Sequence, residues 1–399
     1  MNTAASHKTS PPSDSALRVL LWSPVGSGAH YHGPGLSAYR LYRSAAPGRF
    51  DVTLAHGWPD HATLDLFGEQ HFLADMRGGT LAQWRFIRAG CRWLDEHCHR
   101  FDVMHGLQGF HITVKPACHA KARGLPAVIK LATHKADLAS KPGLKGLLKL
   151  PEKRRKMVSR LDAVIAISHA IVEELRGYGI ADDKIVRIPN GVDTSRFGPA
   201  DPSAKSDLRR QLDLPDRPMV LFVGSIFPRK RPHLIVEAFS RIAADGQLVL
   251  VGPVQDEAYH RRILATIAEH GLTERVTVRD YTPSIEDYYR AADVYCLPSR
   301  AEGMPNSVLE AMASGLPAVC TAISGTTDLI DDGRCGRLIE PAVEPLAEAL
   351  GDYLADPPLA ARHGEQARRR IDEQYSTQAV LDEHERLFRR IMAGQPAAG

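Results

Sequence analysis

The fold is decided by residues 299–319, which read SRAEGMPNSVLEAMASGLPAV. They follow the apolar run Val294–Leu297, whose length and composition favour a strand. Residues 307–313 then have the character of a helix, which Gly315 and Pro317 end. This stretch predicts a strand, a loop and a helix in succession, which is the repeating unit of an α/β fold.

The same alternation extends outward through the chain in two series. Apolar runs of the first series lie at 17–22, 50–56, 101–105, 127–131, 163–167 and 185–188. Those of the second lie at 219–223, 248–251, 276–278, 294–297, 318–320 and 336–339. Runs that are nearly continuous in Val, Ile and Leu suit strands buried on both faces by helices. The prediction is two doubly wound, Rossmann-like α/β domains facing a cleft, with ligands at the carboxyl ends of the strands.

Domain boundaries follow from composition. We expect a disordered tail over 1–15, a first domain over 16–199, a proline-rich linker over 200–217 and a second domain over 218–375. A short helix is expected inside the linker, near 204–212. Residues 376–399 read as a helix with one apolar face, which needs a surface to cover.

The composition indicates a soluble globular protein. Hydrophobic residues make up 44% and charged residues 24% of the chain. A net charge of +3 is too small to indicate a nucleic-acid partner. No apolar run approaches the roughly 18 residues of a membrane span, and residues 1–15 lack the apolar centre of a signal peptide. The six cysteines form no C-x-x-C pair, so we expect free thiols in a reducing cytoplasm.

Two carboxylates stand beside predicted backbone donors in the deciding stretch. Glu302 and Gly303 lie in the loop after the strand, and Glu310 lies in the helix. The amino end of that helix offers amide groups to an anion, at Met304, Asn306, Ser307 and Val308. Carboxylates accept hydrogen bonds from hydroxyls, so the pattern suits a polyhydroxylated ligand that carries phosphate.

The segment resembles the E-x7-E signature of retaining family 4 glycosyltransferases, which have the glycosyltransferase-B fold. Glu302 and Glu310 are eight positions apart, as the signature requires, and G-x-P-N-S-x-L-E-A-M-A-x-G-x-P fits around them. An isolated pair of glutamates would read as an ordinary solvated helix, so the full string carries the resemblance. The family's chain returns at its end to pack on the first domain, which gives residues 376–399 a surface.

A second segment agrees with the same family. Residues 222–239, FVGSIFPRKRPHLIVEAF, resemble its phosphate-binding strand, loop and helix, and Lys230 matches the lysine that contacts the donor diphosphate. Ser225 stands where the family usually has an arginine, and the hypothesis is that Arg229 supplies that charge. The alternative for Lys230 is a solvated loop lysine.

In the first half the resemblance is more diffuse. Residues 161–197 resemble a family strand and its asparagine–glycine turn at Asn190, which we interpret as architectural. His134, after VIKLAT, corresponds to a histidine placed over the donor sugar near the anomeric carbon; the alternative is a core or surface histidine. His105 is interpreted as structural.

Two glycine pairs compete for the family's diphosphate-facing loop. Gly33 and Gly35 are favoured over Gly26 and Gly28 because a helix begins directly after them, at Leu36. Residues 324–328, SGTTD, resemble a further loop of the family at the cleft.

The resemblance implies transfer of a sugar with retention of anomeric configuration. Lys230 and helix amino ends stabilise the departing diphosphate, Glu310 holds the ribose hydroxyls, and Glu302 and His134 contact the donor sugar. The resemblance implies catalysis without a metal, and the sequence agrees, because no D-x-D pair follows a strand and no His/Cys cluster occurs. The donor is a nucleoside-diphosphate sugar, with uridine diphosphate favoured and guanosine and adenosine diphosphate left open, and no other cofactor is expected.

Residues 141–156, KPGLKGLLKLPEKRRK, bear on the acceptor. Seven basic residues stand against one acid, with leucines between them. This pattern fits an amphipathic helix on an anionic membrane surface, or a normal helix with its leucines in the core. The first reading implies a saccharide or lipid-linked acceptor in envelope polysaccharide or glycolipid assembly, and a cytoplasmic enzyme peripheral to the inner face of the membrane.

Other functions fit the same two-domain plan. A sugar-nucleotide epimerase and a phosphorylase are enzymes of this kind, although the full second-half string argues against both. A non-catalytic sugar-nucleotide-binding protein is a rival of a different class, which the serine at 225 keeps open.

Overall fold

The computed structural model describes residues 16–25, 34–58, 68–133, 138 and 150–398. These residues form two compact α/β units. The first runs to Ile188 and also takes in the chain from Val380 onward, and the second is Pro189–Ala379. Among the described residues, no helix combines the length and apolar character needed to cross a membrane.

The first unit is built on a parallel sheet, seven-stranded in the part of the chain that the structure describes. Its strands are β1 (Leu17–Trp22), β2 (Phe50–His56), β3 (Glu69–Phe72), β4 (Val103–Leu107), β5 (Ala127–Leu131), β6 (Ala163–Ala166) and β7 (Ile185–Arg187), in the order β3-β2-β1-β4-β5-β6-β7. Its helices are α1 (Pro34–Arg43), α2 (Thr80–His97), α3 (His111–Lys121), α4 (Leu150–Val158) and α5 (His169–Gly177). Every residue of β4, β5 and β6 is buried, which explains why these strands read as continuous apolar runs.

The second unit repeats the plan with six parallel strands among its residues. They are β8 (Met219–Val223), β9 (Gln247–Val251), β10 (Val276–Arg279), β11 (Val294–Leu297), β12 (Ala318–Thr321) and β13 (Gly336–Ile339), in the order β10-β9-β8-β11-β12-β13. The helices are α6 (Pro202–Gln211), α7 (Pro232–Phe239), α8 (Glu257–Glu269), α9 (Ile285–Ala291), α10 (Asn306–Ala313), α11 (Thr326–Leu329), α12 (Val343–Ala355) and α13 (Pro357–Gln374). Both sheets place their first strand in the middle, which is the doubly wound order.

The chain then enters α14 (Thr377–Met392), most of which belongs to the first unit. Its apolar side chains join the first unit's core beside Leu17, Val19 and Tyr42, through Val380, Leu381, Leu387, Phe388 and Ile391. Arg49 adds ion pairs to Asp382 (2.5 Å) and Glu385 (2.8 Å). A helix with one apolar stripe therefore finds its surface on the first sheet.

The boundary between the units falls at residues 188 and 189, ahead of the proposed linker at 200–217. Tertiary contacts explain the difference, because the segment after β7 is bound to the second unit. The amide of Thr377 donates to the carbonyl of Val192 (3.0 Å), and Arg209 in α6 donates to the carbonyl of Ala291 and to Asp293. The prolines predicted an irregular segment, but they did not indicate which of the two units this segment packs against.

One strand lies outside the predicted set. The sequence of β3 is EQHF, whose burial pattern runs from exposed through half-buried to exposed at the edge of the sheet. Edge strands need no apolar run because one side faces solvent.

Candidate active site

The candidate site lies in the second unit, where the strand order reverses. β8 and β11 are neighbours in the sheet, but their following helices belong to opposite directions of winding. The loops that leave their carboxyl ends, 224–231 and 298–305, therefore lie side by side at a topological switch point. This is the position at which open α/β sheets bind ligands.

Two cations converge on one carboxylate here. The Lys230 Nζ lies 2.8 Å and the Arg229 Nη1 lies 3.1 Å from Oε1 of Glu302. Neither contact has hydrogen-bond alignment at that oxygen, so both are ion pairs rather than directed bonds. The side chains of Glu302 and Lys230 are 10% and 14% exposed. The Arg229 side chain is 43% exposed, and the net positive charge of the three groups suits an anionic group.

Backbone geometry holds the loop of Arg229 and Lys230. Arg231 has a left-handed conformation with φ of 53°, and Pro232 follows as the first residue of α7. The Arg229 guanidinium donates to the carbonyl of Ala301 (2.5 Å), and the amide of Arg300 donates to the carbonyl of Arg229 (2.9 Å). These two bonds tie the loop after β8 to the loop after β11.

The loop of Glu302 and Gly303 rests on the segment at 324–328. Gly325 has φ of 85°, and a Cβ atom there would lie 2.2 Å from the carbonyl oxygen of Gly303. Thr326, in α11, donates through its hydroxyl to the carbonyl of Thr321 (2.6 Å). The SGTTD segment therefore supports the glutamate loop by direct backbone contact, which only glycine permits at position 325.

The amino end of α10 faces the same loop. The amides of Val308 and Leu309 donate to the carbonyl of Pro305, so the first-turn donors without an acceptor inside the helix are those of Asn306 and Ser307. The Val308 amide is therefore already engaged, and its side chain is buried. A helix of eight residues with two such donors adds partial positive charge near Lys230 and Arg229.

Glu310 is held further along α10. The Tyr289 hydroxyl donates to Oε2 of Glu310 (2.9 Å), and the Tyr295 hydroxyl donates to Oγ of Ser307 (2.7 Å). Burial raises the pKa of Tyr295 well above its ordinary value, so its hydroxyl stays a donor. Two buried tyrosines thus orient the polar side chains of one helix.

Asn190 contacts the site although its turn was interpreted as architectural. Its Nδ2 donates to the carbonyl of Met304 (3.4 Å) and to Oδ1 of Asn306 (3.2 Å). Asn190 and Tyr289 are the site residues that sequence reasoning missed. The asparagine–glycine dipeptide and the paired tyrosines at 288 and 289 mark them in the sequence, but nothing there indicates their hydrogen-bond partners, Asn306 and Glu310.

The structure therefore gathers most of the predicted residues of the second half. Glu302, Gly303, Arg229 and Lys230 meet at the switch point, and Met304, Asn306, Ser307, Val308 and Glu310 follow at α10. Gly35 lies buried in the first turn of α1, in the other unit. His134, Gly33, Gly26, Gly28 and residues 141–149 lie outside the described residues, and residues 150–156 belong to α4.

Within the described ranges, no group of three or more His, Cys, Asp or Glu side chains is arranged to hold a metal ion. The six cysteines are free, four of them buried and two half-buried.

Two family models match successive halves of the chain. The one described as Glycosyltransferase Family 4 matches residues 31–196, and the one described as Glycosyl transferases group 1 matches residues 204–370. Together they cover most of the sequence, so the chain belongs to the family 4 glycosyltransferases, and the predicted family is confirmed. The D-inositol 3-phosphate glycosyltransferase of Xylanimonas cellulosilytica is 34% identical over 251 residues, 59% of this chain and 59% of that protein. The chain thus spans about three fifths of the length of this curated relative.

Solved structures share the fold. Sucrose-phosphate synthase from Thermosynechococcus elongatus superimposes with a TM-score of 0.74 at 22% identity, over 95% of this chain and 100% of that chain. Anabaena HepE in complex with UDP gives 0.77 at 19% identity, over 93% and 98%. Such identities show the fold alone. They confirm the predicted class, two doubly wound Rossmann-like domains of the glycosyltransferase-B fold.

Proposed function

We propose that the chain is a retaining, metal-independent glycosyltransferase that moves a sugar from a nucleoside-diphosphate sugar to an acceptor hydroxyl. One observation carries the proposal: Lys230 and Arg229 converge on Glu302 at the switch point, beside the amino end of α10. Cations outnumber carboxylates there, and the surplus charge suits a diphosphate. Family membership supports the reaction class.

The proposed chemistry requires stabilisation of a leaving group. As the bond from the anomeric carbon to the diphosphate breaks, negative charge grows on the diphosphate oxygens. Lys230, Arg229 and the α10 amides are preorganised donors for that charge, and each such donor typically contributes a few kcal/mol. These side chains supply the positive charge that a divalent cation supplies elsewhere, which is the basis for proposing metal independence.

The ion pair between Lys230 and Glu302 positions the lysine for the donor. Glu302 holds Lys230 in place until the donor arrives, and the diphosphate then takes over the ammonium group. The carboxylate so released accepts hydrogen bonds from hydroxyls of the donor sugar. Glu310, oriented by Tyr289, accepts from the ribose hydroxyls.

The first unit contributes residues that rest on the sequence resemblance. We propose that His134 contacts the sugar beside the reacting carbon and that Gly33 and Gly35 allow backbone approach to the diphosphate. Retention of configuration rests on the same resemblance. Uridine diphosphate is the favoured donor nucleotide, since HepE, which shares the fold, was solved with UDP.

The acceptor is proposed from the relatives and from residues 141–156. A D-inositol 3-phosphate glycosyltransferase is named for a polyol acceptor, which makes a hydroxylated saccharide or a lipid-linked sugar the natural class. From the basic, leucine-rich sequence of 141–156 we propose peripheral attachment to the inner face of the cytoplasmic membrane, in envelope polysaccharide or glycolipid assembly.

A thermal-shift panel tests the donor site. UDP, GDP, ADP and dTDP are added without metal to the wild type and to Glu310→Ala. A nucleotide at about a hundred times its Kd adds about 2.7 kcal/mol to the free energy of unfolding. We expect UDP to stabilise the wild type and to lose most of that effect in the variant. A panel in which none of the four nucleotides shifts the melting temperature contradicts the proposal.

Turnover separates an enzyme from a binding protein. With the donor sugar of the stabilising nucleotide and a membrane-derived acceptor, an enzyme releases nucleoside diphosphate, whereas a binding protein releases none. Activity in the presence of EDTA tests metal independence, and NMR of the anomeric proton in the product tests retention. A product with inverted anomeric configuration contradicts the proposed retention but not the proposed glycosyl transfer.

A further inference from the structure

The loop that carries Glu302 is bound at its start to the neighbouring strand. This loop leaves β11, which pairs with β12 in the sheet. Thr321 is the last residue of β12 and is fully buried, and its hydroxyl donates to the carbonyl of Ser299 (2.5 Å). Ser299 lies three residues before Glu302 in the chain. One buried hydroxyl therefore fixes the point from which the loop leaves the sheet.

The same threonine is also bound through its own backbone. Its carbonyl accepts a hydrogen bond from the hydroxyl of Thr326 (2.6 Å), which is fully buried in α11. Thr326 follows Gly325, the glycine against which the carbonyl of Gly303 packs. The threonine thus supports the loop on both sides of Glu302, directly at Ser299 and indirectly at Gly303.

The short helix α11 is itself fixed at its other end. The hydroxyl of Tyr375 and the guanidinium of Arg370 both donate to the carbonyl of Asp328 (2.9 and 3.0 Å). Tyr375 is buried at the carboxyl end of α13, and Arg370 lies in the last turns of that helix. Hydrogen bonds therefore hold α11 at both ends, so it forms a fixed base for the glutamate loop.

The middle of the loop is bound to a group that we propose for the donor. The amide of Arg300 donates to the carbonyl of Arg229, and the Arg229 guanidinium donates to the carbonyl of Ala301. A bound diphosphate would compete for this guanidinium, whereas the hydroxyl of Thr321 is buried beneath the loop. The bond from Thr321 is therefore the anchor that stays in place when the donor binds.

We propose that Thr321 is a positioning residue for Glu302. It acts through the backbone of the loop, because its hydroxyl is already engaged by Ser299 and is not needed as a contact for the donor. By fixing the start of the loop, it sets the place at which the carboxylate meets Lys230 and the donor sugar. The inference rests on the proposed role of Glu302 in transfer, although the bond itself can be tested without any activity.

Kinetics of two variants test the role in transfer. Thr321→Val removes the hydroxyl and keeps the branched shape of the side chain. Its kcat should fall about 10- to 100-fold, as for a small misplacement of a group at the reacting centre. Its Kd for UDP should be unchanged, because Glu310 and Tyr289 lie on other elements. Thr321→Ser keeps the hydroxyl and should restore most of kcat.

Thr113→Val is the matched control for a buried threonine. Thr113 is fully buried in α3, and its hydroxyl donates to the carbonyl of Leu107 at the end of β4 (2.9 Å). This variant should lower the melting temperature about as much as Thr321→Val does, and it should leave kcat unchanged. Equal losses of kcat in the two variants would show that Thr321 acts through stability alone.

Hydrogen exchange tests the anchoring without reference to activity. In Thr321→Val, the amide of Arg300 should exchange faster than in the wild type, because the loop can move away from the sheet. The amide of Leu248 in β9, which donates to the carbonyl of Arg275, should exchange as before. Thr321→Ser should keep the wild-type rate at both amides. Equal acceleration at both amides would indicate general destabilisation and overturn the inference.

Three further results also overturn it. One is a kcat in Thr321→Val that equals that of the wild type. Another is a rise in the Kd for UDP that accounts for the whole loss of activity. The third is a Thr321→Ser variant as impaired as Thr321→Val. A wild type that transfers no sugar contradicts the proposed function instead, and the exchange of the Arg300 amide then decides alone whether Thr321 anchors the loop.

Discussion

Polar side chains that are largely or fully removed from solvent gather on both sheets, but in two different electrostatic settings. In the second unit, Lys230 and Glu302 form an ion pair at the carboxyl ends of the strands. In the first unit, His105 of β4, His384 of α14 and Lys130 of β5 are buried together in the core, with the Tyr42 hydroxyl 2.8 Å from Nδ1 of His105. Opposite charges meet in the first case, whereas in the second no carboxylate of the described residues shifts the pKa of His105, His384 or Lys130.

The pKa values follow from that difference. Burial, together with the charge of Lys130, lowers the pKa of His384 to about 3, and burial lowers the pKa of Lys130 to about 8. Burial also lowers the pKa of His105 well below its ordinary value. Burial without a counter-charge favours the neutral form, so the two histidines are neutral near pH 7, and a neutral imidazole serves packing. Paired charge at a strand end is therefore the mark of the site, while buried histidines mark the core.

The largest expected effect tests the paired charge. Lys230→Met removes the ammonium group that we propose for the diphosphate, so kcat should fall about 100- to 1000-fold, as for loss of one preorganised donor. The free energy of unfolding should change little, since Arg229 still pairs with Glu302. Release of nucleoside diphosphate measures the first quantity and denaturant unfolding the second.

Lys205→Met is the matched control for that variant. Lys205 makes an ion pair of equal length, 2.8 Å, with Asp293 in the same unit but away from the switch point. Its loss should affect stability and leave kcat within about two-fold. Equal losses of kcat in both variants would mean that the ion pair of Lys230 is structural.

An intermediate effect tests the uncharged cluster. The folded-state pKa of His384 is about 3 and lies below its unfolded value of about 6.5, so the unfolded chain binds the extra proton. Stability is therefore complete above pH 6.5 and is lost as the pH falls. Between pH 6.5 and 5 this histidine should remove about 2 kcal/mol from the free energy of unfolding, and His384→Leu should lose that part of the slope. Denaturant unfolding across this pH range measures it.

The other groups of the cluster do not mask the result. Lys130 is protonated on both sides of the transition below pH 6.5, and the neutral hydroxyl of Tyr42 does not titrate there. His105 adds a slope of the same sign, which remains in the variant. His99→Leu, at an exposed histidine, is the control and should keep the wild-type slope. An unchanged slope in His384→Leu would show that the histidine is charged in the folded protein.

The smallest expected effect concerns a buried hydroxyl at the site. Tyr289→Phe removes the bond to Glu310 (2.9 Å), so Kd for the nucleotide should rise about five-fold, as for one lost hydrogen bond of about 1 kcal/mol. Titration calorimetry measures it. Tyr353→Phe removes a similar bond to His363 (2.8 Å) elsewhere in the unit and should leave Kd unchanged. A Kd unchanged in Tyr289→Phe would place the ribose contact elsewhere.

The strand pattern was largely predictable from sequence because a strand buried on both faces requires a continuous apolar run. The runs at 17–22, 50–56, 127–131, 219–223, 294–297 and 336–339 coincide with strands. The edge strand β3 was not predicted because three of its four residues are polar and Phe72 alone makes no apolar run. The position of the unit boundary was not predicted, because hydrogen bonds to residues distant in the sequence attach Val192 and Arg209 to the second unit.

The site was predictable only in part, for a related reason. Lys230 and Glu302 stand in strings with a family resemblance, so their meeting followed from topology. Asn190 and Tyr289 act through hydrogen bonds to Asn306 and Glu310, which are 116 and 21 residues away, and no motif of the sequence indicates either pairing. Hydrogen-bond partners are a property of the packed fold, which spacing along the chain does not record.

The core of the first unit contains residues from both ends of the chain, which determines the order in which the two units can fold during synthesis. Val380, Phe388 and Ile391 pack with Leu17 and Val19, so this core stays open while the ribosome is still translating the whole second unit. The second unit is one continuous segment and needs no residues that are translated after it. It can therefore fold first, although most of the first unit precedes it in the sequence. Until α14 emerges, the nascent first unit exposes the apolar side chains that α14 covers in the folded protein.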